Sequence, residues 1–149
     1  MIQRVQSFYL LVAGGIGIFQ LFIPFIKFSL PGGELCVVTG LGLFRAGLWY
    51  LGLLLLAMIV LSITALLLFK NRPLQLKITH GAAFCGAACA LGALFHLYYE
   101  NVEVCFGAKA DYAGSGGLAL MPLAIFALLL ASRGIRKDEE LVRSAERIR

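Results

Sequence analysis

Cysteines are the residues of this chain best suited to chemistry, because a thiol can form disulfides, bind soft metals or carry redox reactions. Cys85 and Cys89 are one helical turn apart, a spacing that could hold a soft metal, but no further ligand accompanies them. They lie among small apolar residues and are interpreted as packing residues. Cys36 and Cys105 each stand alone in a separate segment. A thiol oxidoreductase typically needs a C-x-x-C pair, and the sequence has none.

The two histidines are not spaced to form a joint metal site. His80 and His96 are sixteen residues apart, roughly 24 Å along a helix, which is too far to share a metal ion. His96, Glu100 and Glu103 have the spacing of one helical face and could bind a cation, although a solvated helix end is favoured. The G-x-x-x-x-G-K-[ST], H-E-x-x-H and G-x-S-x-G motifs do not occur. The sequence therefore predicts a non-enzymatic protein without a catalytic, cofactor-binding or metal site.

The elements around these residues are apolar blocks. The chain is 60% hydrophobic and 14% charged, against roughly half and a quarter in soluble domains. The predicted spans cover about 8–28, 47–69, 79–99 and 115–132, each close to the roughly 20 residues that cross a bilayer core. A charge at mid-bilayer costs roughly 2.5–3.5 kcal/mol, and the centres of these blocks carry none. A soluble bundle would show a polar face, which the run 51–61 lacks.

We therefore predict an all-α fold, an integral membrane four-helix bundle over residues 1–132. A basic tail helix follows at 133–149. In this tail Leu141, Ala145 and Ile148 have i, i+4, i+7 spacing beside Val142, so the helix is weakly amphipathic. It could rest on the membrane, dock on a partner or stay solvated. The candidate tail residues are Arg136, Lys137, Leu141, Val142, Arg143 and Ile148.

The distribution of Lys and Arg predicts the orientation. With both termini cytoplasmic, ten basic residues lie inside: Arg4, the Lys70/Arg72/Lys77 group and six in the tail. Three lie outside, namely Lys27, Arg45 and Lys109. This bias follows the positive-inside rule. The net charge of +5 is then a topology signal and an attraction to anionic lipid, so no nucleic-acid partner is needed.

In this orientation Cys36 and Cys105 lie in the two outer loops, where an oxidising compartment permits disulfides. A bridge between them would close a loop of about 70 residues and stabilise the fold by roughly 4 kcal/mol. The alternative is two unpaired thiols whose Cα atoms are too far apart to bridge.

Small residues four apart mark the third helix. They make a face without bulk along which other helices can approach closely. This face is a candidate packing centre of the bundle or a groove for a partner helix. Its residues are Gly81, Ala82, Cys85, Gly86, Cys89, Ala90 and Ala93.

Three segments carry a family resemblance. They are the opening MIQRVQSFYLL, the turn KNRPLQLK at 70–77 and the close IRKDEELVRSAERIR at 135–149. Together they resemble a bacterial four-pass inner-membrane family, domain of unknown function 4293, and depart from its ending at Glu146 and Ile148. The resemblance implies four spans and an inner-membrane location, and it supplies no activity. All three segments would lie on the cytoplasmic side, which suggests that a partner recognises that face.

The leading hypothesis is a structural or accessory protein of a bacterial inner membrane, bound to the bilayer and to itself or a larger membrane complex. No cofactor or small-molecule substrate is predicted. The alternative is a small transporter or ion-conducting oligomer, which usually needs a charge or a broken helix at the midplane. The chain has no such charge, and Ser62 and Thr64 in the second helix can bond their own backbone.

Overall fold

The computed structural model describes residues 2–29, 34–45, 47–99, 111–114 and 116–147. This part of the chain is mostly helical, with short strands between the first two long helices and before the last. In chain order the elements are α1 (Ile2–Phe22), β1 (Pro24–Ser29), β2 (Leu35–Thr39), a 3-10 turn (Gly42–Phe44), α2 (Trp49–Leu67), α3 (Arg72–Tyr99), β3 (Asp111–Gly114), α4 (Gly116–Ala119) and α5 (Met121–Arg147).

Apolar helices of membrane-spanning length dominate the described ranges. Four segments there are long and apolar enough to cross a membrane, by length and composition: Val5–Phe22, Trp49–Leu67, Arg72–Leu97 and Gly116–Val142. Leu and Ala are among the strongest helix formers, which explains why these blocks are helical. The prediction of four apolar helices is confirmed.

The long helices form a ring in which each packs against two neighbours. α1 lies between α5 and α2, and α3 lies between α2 and α5. The core between them is apolar and includes Leu55, Met58 and Leu128, all fully buried. Helix α1 approaches α2 closely at Gly17, where an added Cβ would lie 2.7 Å from Ile59 Cγ1.

A small antiparallel sheet covers one end of the bundle, which we call the sheet end. Within the described residues its strand order is β2-β1-β3. The all-α prediction missed this sheet. Pro24 supplies the reason: it lacks an N–H and disfavours helix in the residue before it, so α1 ends at Phe22 rather than near 28. Phe25, Ile26 and Phe28 of β1 are buried, and their apolar character resembled a continuing span.

The opposite end, which we call the tail end, is where α1 and α3 begin and α5 finishes. Here the helices are longer than predicted: α1 begins at Ile2 and α3 at Arg72, rather than near 8 and 79. Helix α5 runs without a break past residue 133, so the tail continues the fourth long helix rather than forming a separate one. Gly134 has no side chain, and this allows α1 to approach α5 closely there.

Gly40 joins the sheet to the end of α1, and we expect Gly40→Ala to destabilise the fold. An added Cβ would lie 2.8 Å from Leu21 Cα and closer still to the Gln20 carbonyl oxygen. These are backbone atoms, and the next residue's N–H donates to the Leu21 carbonyl at 3.1 Å. Overpacking of this kind costs about 1–3 kcal/mol. Thermal unfolding in mild detergent, followed by circular dichroism, should show a midpoint lower by several degrees.

Gly15→Ala is the matched control. Its added Cβ would meet nothing within 4 Å, and alanine favours helix over glycine. Its midpoint should equal or exceed that of the unchanged protein. Equal midpoints for Gly40→Ala and the unchanged protein would contradict the close approach at Gly40.

Candidate functional site

The three segments that carry the family resemblance meet at the tail end. The first lies in α1, where Gln6 contacts α5: a Cβ on Gly134 would lie 2.8 Å from Gln6 Cγ. The second is the turn between α2 and α3, which contributes Arg72. The third is the tail, which contributes Asp138. Arg72 Nη2 lies 3.3 Å from Asp138 Oδ2, and Arg72 Nη1 donates to the Asp138 carbonyl oxygen at 3.3 Å.

This ion pair is sheltered from solvent. The Arg72 and Asp138 side chains are 28% and 16% exposed, and the arginine contacts both the carboxylate and the backbone of its partner residue. The tail also has an exposed pair, Arg136 with Glu140 at 3.5 Å, whose side chains are 75% and 69% exposed. Exposed pairs of that kind contribute roughly 0–1 kcal/mol. The Arg72–Asp138 pair is therefore the more sheltered of these two pairs, and it ties the root of the tail to the bundle.

The turn before α3 also completes the end of α2. Gln75 is buried, and its Nε2 donates to the Ala65 carbonyl oxygen at 2.9 Å. Carbonyls in the last turn of a helix lack intrahelical donors, so this bond satisfies one of them. Pro73 lies in the first turn of α3, where a missing N–H costs nothing. The turn thus holds α2 through Gln75 and α5 through Arg72.

The last turns of α5 project beyond the bundle. Gln6 is level with Gly134 and the two helices are antiparallel, so Ile2, the first residue of α1, is level with Asp138. Arg72, the first residue of α3, lies at the same level. The nine helical residues 139–147 therefore extend about 14 Å further.

The projecting segment carries apolar side chains in the open. Leu141 and Val142 are 50% and 41% exposed, and Arg136 and Lys137 at its root are exposed as well. Arg143 lies on the same helical segment, and Ile148 falls outside the described residues. An apolar pair flanked by charges on a fixed helix is suited to docking against another surface.

The small-residue face of α3 is covered by the chain's own helices. Ala82, Gly86, Cys89 and Ala93 are buried, whereas Gly81, Cys85 and Ala90 are partly buried. A Cβ on Gly86 would lie 2.8 Å from Met58 Sδ and 3.3 Å from Ile125 Cγ1, so α2 and α5 both approach here. At Gly86 this face is therefore packed between α2 and α5.

The thiols of α3 show no metal-binding arrangement. Cys89 Sγ lies 3.5 Å from the Leu51 carbonyl oxygen, and both Cys85 and Cys89 are free. Among the described residues no group of three His, Cys, Asp or Glu side chains is placed to hold a metal. Cys36 lies half-buried in β2, and Cys105 falls outside the described residues, so their predicted bridge stays a prediction.

Sequence reasoning missed two buried glutamines on α1. Gln20, at the sheet end, is fully buried and donates from Nε2 to the Gly117 carbonyl oxygen at 2.8 Å, which joins α1 to α4. Gln6, at the tail end, packs against Gly134 of α5, and its buried Nε2 has no hydrogen-bond partner among the described residues. A signal for both existed in the spacing. Positions 6, 10, 13, 17 and 20 follow a heptad pattern, and all five residues are buried.

Comparison with known proteins identifies the family of this chain. A family model described as Domain of unknown function (DUF4293) matches residues 2–148. No curated protein and no solved structure matches the chain. The match extends over all three segments that meet at the tail end and over the sheet. The chain belongs to the DUF4293 family.

Proposed function

We propose that the protein is a non-enzymatic structural or accessory subunit of a bacterial inner membrane, which associates with itself or with a larger membrane complex through its tail. The observation that carries the proposal is the projecting end of α5. Its root is held by Arg72, and it presents Leu141 and Val142 beyond the rest of the bundle. A partner binding there would meet a fixed apolar surface, with little ordering cost.

The surface of the bundle supports insertion into a membrane. Large apolar side chains point outward from the long helices, among them Phe22, Phe84 and Leu91. A soluble protein rarely exposes so continuous an apolar surface, whereas lipid accommodates it without cost. The ten-to-three bias of Lys and Arg between the two sides supports cytoplasmic termini, with the tail end inside.

The polar groups argue for an architectural role rather than a transport path. Gln20, Arg72 and Gln75 use their side chains to join helices at the two ends of the bundle. Within α2, the Ser62 hydroxyl donates to the Met58 carbonyl and the Thr64 hydroxyl to the Val60 carbonyl, both at 2.7 Å. These hydroxyls are therefore occupied by their own helix. A small transporter or ion-conducting oligomer is the second candidate, which partner-free behaviour would favour.

Leu141→Asp and Val142→Asp should each release the partner. A carboxylate placed in an apolar contact costs several kcal/mol, so at least a tenfold loss of retention is expected. The unchanged chain is purified in mild detergent without crosslinking, the retained subunits are identified by mass spectrometry, and their recovery is compared among variants.

Ser144→Asp is the matched control, since it adds the same charge at an exposed polar position of the same segment. It should keep the partner. Normal partner recovery with both apolar variants would refute the tail as an interface. A pure homo-oligomer that both variants leave intact would favour the transporter and direct the work to flux assays in liposomes.

The C-terminus should be protected on the cytoplasmic side. An epitope tag after Arg149 should resist external protease in spheroplasts and be cut only after permeabilisation, because the basic residues hold this side inside. A tag inserted after Gly107, in the predicted outer loop, should be cut in intact spheroplasts. The reverse pattern would overturn the orientation.

The sheet supports a disulfide between Cys36 and Cys105. In the strand register, Phe28 of β1 pairs with Cys36 on one side and with Tyr112 of β3 on the other. Two strand spacings make about 10 Å between the Cα atoms of Cys36 and Tyr112. Cys105 precedes Tyr112 by seven residues, and seven residues can span up to about 25 Å, so bridging distance is within reach.

Thiol counting tests the bridge. In the denatured, unreduced protein an alkylating reagent should label two of the four cysteines, Cys85 and Cys89, and after reduction it should label all four. Cys36→Ser should raise the unreduced count to three by freeing Cys105, whereas Cys85→Ser, the control, should lower it to one. Four labels without reduction would exclude the bridge.

A further inference from the structure

A narrow apolar groove runs between α1 and α2 on the outside of the bundle. Its volume is about 260 Å³, and its walls include Leu11 and Ile18 of α1 and Ile63 and Leu66 of α2. Gly15 forms the floor. It lies in the row between Leu11 and Ile18, and a Cβ there would meet nothing within 4 Å. The groove is therefore the space that one absent side chain leaves in a ridge of large ones.

The helix register fixes the depth of this groove. Gly14 lies against Ser62 and Gly17 against Ile59, so Lys70, just beyond the end of α2, is level with Gln6. From that level to Ile18 is twelve residues of α1, about 18 Å. A hydrocarbon core is roughly 30 Å thick, so the groove and its approach cover about the depth of one leaflet. Lys70 stands at the headgroup end.

The charge at that end is positive. Lys70 is exposed, and Arg4 precedes Leu11 by seven residues, two turns of α1. The first 71 residues contain one acidic residue, Glu34, which lies at the sheet end beside β2. Positive charge at the headgroup level, above an apolar groove that with its approach reaches about one leaflet deep, complements an anionic phospholipid.

The shape favours an acyl chain over other occupants. Pockets for compact ligands usually measure roughly 300–1,000 Å³, and this groove is smaller and open along one side. A helix of a second copy would need small residues four apart on an exposed face to approach closely. The residues four away from Gly15 are Leu11 and Phe19, which are 62% and 58% exposed. They would keep a helix away while leaving room for a narrow chain.

We propose that the α1–α2 groove binds one acyl chain of an anionic phospholipid from the tail-end leaflet, with the phosphate beside Lys70. The proposal rests on the membrane insertion proposed above but not on the partner role of the tail. It gives this surface a specific ligand, in addition to general contact with the bilayer.

Lipid retention by the purified full chain tests the site. Delipidated protein in mild detergent is titrated with phosphatidylglycerol or with phosphatidylcholine of the same acyl chains, and bound lipid is read by native mass spectrometry. The unchanged protein should retain phosphatidylglycerol about fivefold better, the effect of about one lysine near an anionic group. Lys70→Gln should bring the ratio close to one. Gly15→Leu should lower retention of both lipids, because the leucine fills the groove.

Matched controls separate the site from general effects. Lys77→Gln removes an exposed lysine of α3, and Val60→Leu adds bulk to an exposed position of α2 outside the groove. Both should keep the fivefold preference. Equal retention of the two lipids by the unchanged protein, or undiminished retention by Gly15→Leu, would overturn the proposal. A lipid-free dimer that Gly15→Leu dissociates would assign the groove to a second copy.

Failure of the lipid proposal can be distinguished from failure of the proposed partner role. Leu141→Asp should leave the lipid preference intact whatever it does to the partner, because Leu141 lies on the projecting part of α5 and outside the groove. Loss of lipid preference in Leu141→Asp would show that the preference does not arise in the α1–α2 groove.

Discussion

A polar side chain in apolar surroundings is costly unless it finds a partner within the protein, and this constraint determines where the helices make polar contacts. The described polar contacts between helices lie at the two ends of the bundle. Gln20 binds the Gly117 carbonyl at the sheet end, and Arg72 and Gln75 bind Asp138 and the Ala65 carbonyl at the tail end. Between the ends, packing is apolar and depends on close approach at small residues such as Gly17 and Gly86. The contacts at the two ends fix the register of the helices, and the apolar side chains between the ends pack in that register.

The long helices could be predicted because their signal is local: a charge-free block of about 20 residues has few other uses. Their ends could not be predicted so well. Phe25, Ile26 and Phe28 are as apolar as a span, and only Pro24 separates them from α1. A strand that buries several neighbouring apolar residues loses the alternation that would identify it. At the other boundary, the residues change from apolar to charged near 133, but the helix itself continues.

The sequence predicts which side of the molecule holds the site, but it does not predict the contacts within the site. Charge placed the opening segment, the turn and the tail together, but Arg72 and Asp138 are 66 residues apart and no local pattern pairs them. Gln6 and Gln20 were different. They share a heptad spacing with Leu10 and Ala13, and this spacing alone is enough to assign them to the packed face of α1. Polar residues on an otherwise apolar seam are best interpreted as contacts between helices.

The turn between α2 and α3 lies between the two proposed binding sites. Lys70 lies level with the proposed headgroup end of the groove, Arg72 holds the root of the tail, and Gln75 holds the end of α2. One residue, Asn71, therefore separates the proposed lipid contact from the tail contact. Because Arg72 and Gln75 hold this turn on both sides, a substitution on the projecting part of α5 is expected to leave Lys70 in place.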